Sequence, residues 1–208
     1  MKNKQGLHAQ VKRVTLAFTV AALVQAGSAL AALELRDING NATAITADAE
    51  FAYDTVLDAT WYLTANNTGL NWNDAKSWAA GLTVGTFSGW SLPAADGTCT
   101  GYNCTASQMG ELYYTALGNP AGGPLSNTGP FKNLQSISFW SGTEYAPNPS
   151  LAWYFYIGGG NQGADGKDIG LSALAVRPGD VVPEPGMVAL LLSGLAGVLV
   201  MRRRPVGA

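Results

Sequence analysis

The chain has 208 residues, and its near balance of 12 Lys and Arg against 14 Asp and Glu hides an uneven distribution. Four of the bases lie in 1–31 and three in 202–204, so residues 32–182 hold five bases against thirteen acids. That net charge of −8 disfavours binding of nucleic acid, anionic lipid or polyanions by charge. The one histidine, His8, also lies in 1–31, which removes Ser-His-Asp and Cys-His catalysis and every His-containing metal site from the rest of the chain.

At the N-terminus Lys2, Lys4, Lys12 and Arg13 precede the uncharged apolar run 14–24, and Ala29-Leu30-Ala31 follows as a small-x-small site. This is the layout of a secretory signal peptide over 1–31. A retained anchor is the poorer alternative, because the run has 11 residues where a span needs about 20. Residues 32–182 are then one exported domain, large enough to bury a core.

Within that domain, 34–46 alternates loosely around Asn39-Gly40, a turn signal between two short apolar stretches. Residues 51–63 are rich in aromatic and β-branched side chains and predict one or two strands broken near Asp58. The period then changes: Trp72, Ala75, Trp78, Ala79 and Leu82 recur at helical spacing, with Asn or Asp to cap the start and Gly81 to end it. Thr105-Ala106-Ser107-Gln108 reads as a capping box for a second helix. Its apolar stripe is Met109, Leu112, Tyr113, Ala116 and Leu117, and Gly118 and Pro120 stop it. Residues 119–129 read as a surface loop, and 137–145, 151–157 and 171–177 as strands. Two helices among short strands predict an α+β domain with a small antiparallel sheet.

Cys99 and Cys104 enclose Thr-Gly-Tyr-Asn. In an oxidising compartment a disulfide closing this small loop is the expected state. Free thiols or a functional pair are the alternatives, although CxxxxC lacks thioredoxin spacing and no second Cys/His pair exists for zinc.

Of the tryptophans, Trp78, Trp140 and Trp153 are expected in the core. Trp72 and the tyrosines Tyr102, Tyr145, Tyr154 and Tyr156 are the candidates for exposed faces that stack on sugar rings. Trp72, Tyr145, Tyr154 and Asp165 are the candidate ligand-binding residues. Glu111, Glu144, Asp165 and Asp168 supply carboxylates for glycoside hydrolysis, but no local motif selects a pair. Asn161, Asp165 and Asp168 within 158–170 offer oxygen ligands for calcium, yet that composition equally suits a hairpin loop. No catalytic residue, metal site or cofactor is assigned.

The tail begins with Pro183-Glu184-Pro185, continues as the uncharged run 187–201, and reaches Arg202, Arg203 and Arg204. As a helix, those 15 apolar residues reach only about 22 Å, against a hydrocarbon core about 30 Å thick. The arginines would hold the C-terminus on the cytoplasmic side. A plain C-terminal anchor explains the run and the arginines but not Pro-Glu-Pro.

In order and spacing, the tail resembles the PEP-CTERM sorting signal. That resemblance implies recognition by an exosortase, a membrane transpeptidase-like enzyme of Gram-negative bacteria that make exopolysaccharide. It also implies an inner-membrane precursor, cut near the motif and passed to the cell surface or matrix.

A second resemblance is carried by five stretches in order: Tyr53-Asp54-Thr55 with Trp61; Trp72, Ala75, Trp78-Ala79 and Leu82; Gly89-Trp90-Ser91-Leu92-Pro93; Phe139-Trp140-Ser141-Gly142-Thr143-Glu144; and Ala152-Trp153 with Ala175-Val176-Arg177. These resemble the Lcl C-terminal domain family over 51–180, a family of unknown function often found beside PEP-CTERM tails. Its fold is thought to be related to C-type lectins and formylglycine-generating enzymes, which implies one C-type-lectin-like domain. Ser91 departs from the family pattern, which has Arg at that position. Together the resemblances imply an exported surface or matrix protein whose non-catalytic lectin-like domain binds a glycan or protein partner. The alternative is a secreted carboxylate-dependent glycosidase acting on exopolysaccharide.

Overall fold

The computed structural model describes residues 33–183 of the chain. The expected signal peptide 1–31, the membrane run 187–201, Glu184, Pro185 and Arg202–Arg204 lie outside the described residues. Among those described, no helix is long and apolar enough to cross a membrane.

β1 (Leu33–Asp37), β2 (Ala49–Asp54) and β3 (Ala59–Tyr62) run antiparallel in sequence order. The reversal between β2 and β3 is fixed by Asp54, whose Oδ1 accepts the backbone N–H of Val56 and Leu57 at 3.0 and 3.1 Å. Asp58 closes the turn at φ 46°, the left-handed region that Asp tolerates. The expected break near Asp58 is therefore present. Asn39-Gly40 does turn, but its second arm forms no strand; β1 instead pairs with β2, Leu33 opposite Asp54.

β4 (Asn66–Leu70) leads through Asn71 into α1 (Trp72–Gly81). The Asn71 side chain accepts the N–H of Asp74 at 3.0 Å, satisfying one of the donors exposed at a helix start. α1 turns Trp72, Ala75 and Ala79 inward, and Trp78 is only half-buried.

The second helix starts later than the Thr105 capping box predicts. Ser107 is the cap of α2 (Gln108–Glu111): its Oγ accepts from Gly110 N and donates to the Cys104 carbonyl. Gln108 does not turn back to complete a box; its Oε1 accepts from Ala94 N at 2.7 Å. Gly110 is required by this close approach, since a Cβ there would lie 2.0 Å from the Cys104 oxygen. The helix widens into a π turn over Leu112–Ala116, and Gly118 ends it at φ 65°.

β5 (Ser138–Glu144), β6 (Leu151–Tyr156) and β7 (Asn161–Gly166) form a meander. The expected single strand 171–177 is two strands in two sheets: β8 (Leu171–Ala173) and β9 (Val176–Pro178). β8 lies between β4 and β5, pairing in parallel with β5 at Phe139 opposite Ser172, so the five-stranded sheet is mixed and not purely antiparallel. β9 closes the four-stranded sheet against β3. The described residues are thus α+β, with two short helices and two small sheets.

Two apolar clusters fill the interior. One joins Trp61 and Leu63 to Met109, Leu112 and Tyr113 of the second helix and to Phe139 and Phe155. The other sets Trp72, Ala75 and Ala79 of α1 against Phe51, Trp90 and Trp140. Trp140 and Trp153 are buried as expected.

Glu111 lies inside this packing at 5 % exposure, and neither oxygen meets a well-oriented partner. Burial, and then the closeness and negative charge of Asp54, push the Glu111 acid up to about 8. A group whose folded pKa is raised from 4.5 holds a proton that the unfolded chain releases, so stability falls as pH rises from 4.5 towards 8. Glu111→Gln keeps the shape and a donor towards Asp54. Chemical denaturation at pH 7 is expected to show it more stable than wild type by about 1–2 kcal/mol, allowing for screening. The difference should vanish near pH 4, and equal pH slopes for the two proteins would refute this account.

Candidate functional site

The four candidate ligand residues are divided by the sheet. Register pairs Trp140 with Tyr154, Tyr154 with Gly163 and Ala152 with Asp165, which places Tyr154 and Asp165 on one face, the face that α1 covers. Tyr154 is half-buried and Asp165 is exposed. Tyr145 goes to the other face, where its ring meets Trp153 edge-on at 5.0 Å.

Trp72 joins the α1 face but is not the exposed platform its position suggested: it is 6 % exposed. Its Nε1 donates to the Ser141 carbonyl at 2.8 Å, inside the bulge that interrupts β5–β6 pairing between Trp140 and Glu144. The bulge leaves a carbonyl to satisfy, and the helix's first side chain turns in to do so. The ammonium groups of Lys76 and Lys167 sit over its ring at 4.2 and 4.4 Å from the centroid, and Lys167 also pairs with Glu144. These lysines carried no signal in the sequence, because helix and strand neighbours of an aromatic ring are set by tertiary packing. Beside them lies an open cavity of about 350 Å³, bounded by Lys76, Trp90, Ser91, Leu92, Gly142 and Thr143. Ser91, where the resembled pattern has Arg, exchanges both backbone hydrogen bonds with Val176 at 2.9 Å.

Exposed aromatic surface lies elsewhere, around the cysteine loop. Cys99 and Cys104 are disulfide-bonded. The loop is pinned to the start of β7: Gly101 and Gln162 exchange backbone bonds at 2.8 Å, and the buried Gln162 side chain donates to the carbonyls of Asp96 and Cys99. Asn103 takes φ 62° and donates its N–H to the Tyr114 hydroxyl, which in turn donates to the Gly160 carbonyl. With the loop so held, Tyr102 is left 52 % exposed beside Gly122. Gly122 N–H donates to the Gly159 carbonyl at 2.9 Å, and Gly159 underlies the ring of Tyr156, itself 40 % exposed. Two partly open phenol rings thus flank a glycine floor that has no side chains to cover them. Such a surface presents flat apolar faces with polar edges, the chemistry that suits a sugar ring.

The stretch 158–170 is a β-strand and turn: Asn161 pairs with Tyr156, and Asp165 with Ala152. Among the described residues no three His, Cys, Asp or Glu side chains gather where they could hold a metal ion. Glu144 is engaged by Lys167, and Glu111 is buried.

No protein-family model matches the chain, and no curated protein matches it.

The disulfide should matter to the tyrosine surface more than to folding. Closing so short a loop contributes about 2 kcal/mol by loop entropy. A Cys99→Ser, Cys104→Ser variant is expected to remain folded, to lose about that much stability, and to show faster amide exchange around Tyr102. Two alkylatable thiols in the native wild-type protein, read by mass spectrometry without reductant, would contradict the bond.

Proposed function

We propose that the protein is an exported bacterial surface or matrix protein, sorted through a PEP-CTERM tail by an exosortase, whose lectin-like, Lcl C-terminal-type domain binds an extracellular glycan or a surface protein. One observation carries this reading: the ordered tail signature begins where packing of the domain stops. Val181 is fully buried and its carbonyl approaches Gly40. Val182 is then 54 % exposed and Pro183 is exposed, so Pro183-Glu184-Pro185 begins two residues after the last buried one. A membrane-embedded enzyme needs its substrate backbone extended and clear of a fold, and prolines favour an extended backbone.

The glycan half rests on the Tyr102–Tyr156 surface. An α+β domain of two short helices and small sheets, with its final strand closed against the first three, supports the lectin-like reading. The acidic body favours neutral or weakly charged partners over polyanions.

Two experiments test the two halves. Intact-mass analysis from the native host is expected to show a mature chain ending near residue 183–186 and lacking Arg202–Arg204. Replacing Pro183, Glu184 and Pro185 by alanine should leave full-length precursor in the inner membrane, whereas a mature wild-type chain with Ala208 in place would reduce the tail to an anchor.

On an oligosaccharide array, Tyr102→Ala and Tyr156→Ala are each expected to weaken binding about three- to tenfold. Reducing-sugar release that is abolished by Glu144→Gln or Asp165→Asn would replace the binding reading with the glycosidase one.

A further inference from the structure

A second cavity, about 560 Å³, opens at the end of the four-stranded sheet and is bounded by Thr86, Phe87, Ser88, Arg177, Asp180 and Val182. It lies apart from the tyrosine surface and contains none of the residues singled out for ligand binding. Its cation is Arg177, on β9. The guanidinium carbon sits 5.6 Å from the Phe87 ring centre and 6.0 Å from that of Trp90. Those rings are fixed in turn: Phe51 meets Phe87 edge-on and stacks on Trp90, both at 5.5 Å. Arg177 is thus held by aromatic faces, which attract a cation without neutralising it.

Its expected neutraliser is otherwise engaged. Asp180 faces the same cavity, but its two oxygens accept from Arg36 Nε and Nη2, the shortest contact being 2.6 Å. Arg177 forms no salt bridge among the described residues, and its Nε is buried without a partner. Of the domain's five bases, Arg36, Lys132 and Lys167 have carboxylate partners among the described residues, Lys76 and Arg177 do not, and Arg177 is the guanidinium of those two. A guanidinium fork matches a carboxylate in shape and charge, and Thr86 and Ser88, both hydroxyl-bearing, line the same cavity.

We infer that this cavity is a carboxylate-binding site, with Arg177 as the anchoring cation. Two sources offer that group. One is a single acidic sugar in an otherwise neutral or weakly charged extracellular glycan, the partner class that the acidic body still admits, in which case the inference deepens the glycan-binding reading above and rests on it. The other is Glu184 of the chain itself, since Val182 lines the cavity and only Pro183 separates the two. Two extended residues reach about 7 Å. In that case the acid of the sorting motif would have to leave the cavity before an enzyme could reach the motif.

The test uses full-length chain purified in detergent from a host without the processing enzyme, titrated with sodium glucuronate and separately with glucose, and followed by NMR. Wild-type or Glu184→Gln protein is expected to bind glucuronate at least about tenfold more tightly than glucose, and Arg177→Gln to remove that preference. Because Arg177 also packs on two rings, Ser88→Glu is the second variant: it places a carboxylate beside the guanidinium at an exposed position and should abolish glucuronate binding without touching the core.

Binding by the wild type assigns the site to an external acid. Binding that appears only in Glu184→Gln assigns it to the chain's own tail. No preference for glucuronate in either protein overturns the inference, as does a preference that persists in Ser88→Glu. Array binding that depends on Tyr102 and Tyr156 but not on Arg177 would leave the glycan reading standing while removing the external sugar as this site's occupant.

Discussion

The two sheets share no strand, and what holds them as one body is the crossing segment 171–178. It begins as β8 between β4 and β5 and ends as β9 against β3. Ala173, Leu174 and Ala175 are fully buried where it passes from one sheet to the other. Ala173 and Ala175 enter the cluster built by α1 and the tryptophans, whereas Leu174 and Val176 enter the cluster built by the second helix. The two-residue alternation of an extended chain therefore continues through the change of sheet, and the backbone becomes the wall between the two cores. Small side chains face Trp72, Trp90 and Trp140, and the larger Leu174 and Val176 face the cluster of Trp61, Met109, Leu112 and Phe139. A bulky residue at 173 or 175 would compete for volume already taken by indoles.

From that wall the surface features follow. Indoles and phenylalanines supply much of the buried area in a chain with few Ile, and three indole N–H groups are spent on backbone carbonyls. Trp140 donates to Leu70, Trp72 to Ser141 and Trp90 to Phe87. Such rings are structural, and sugar-binding chemistry has to be sought where the chain turns outward. The cysteine loop is the best-held of these places, because the disulfide, the Gln162 side chain and the Tyr114 hydroxyl all constrain it. At the opposite extreme of the chain, the Arg36–Asp180 pair ties β1 to the segment after β9, so the fold is closed just before the tail begins.

Elements whose signal is local were legible. α1, the β2–β3 reversal at Asp58, β5 and β6 all lie where period, capping or turn chemistry placed them, and two cysteines five positions apart left little choice of partner. Elements that exist only through a partner were not. β4, with sequence Asn-Asn-Thr-Gly-Leu, pairs with β8 only at Asn66 and Leu70 and has no pattern of its own. β7 reads as a glycine-rich loop because its pairing with β6 is done by backbone atoms that any side chain permits. The cap moved from Thr105 to Ser107 because the Cys104 carbonyl, placed by the loop, needed the Ser107 hydroxyl.

For function the division is sharper. The charge balance, the lone histidine outside the body, the cysteine spacing and the ordered tail are properties of residue identity, and the sequence by itself determined them. Which aromatic rings face solvent is a property of three-dimensional competition for carbonyls and volume, and only the tertiary structure decided it. Trp72 was drawn inward by a bulge in a strand nearly seventy residues away, while Tyr102 and Tyr156 were left outside by a floor of glycines. Likewise, nothing in the order of residues says that Arg36 would take Asp180 and leave Arg177 with only aromatic neighbours. Pairing of charges is settled by which strands meet, and β1 and β9 meet only through the folded sheet.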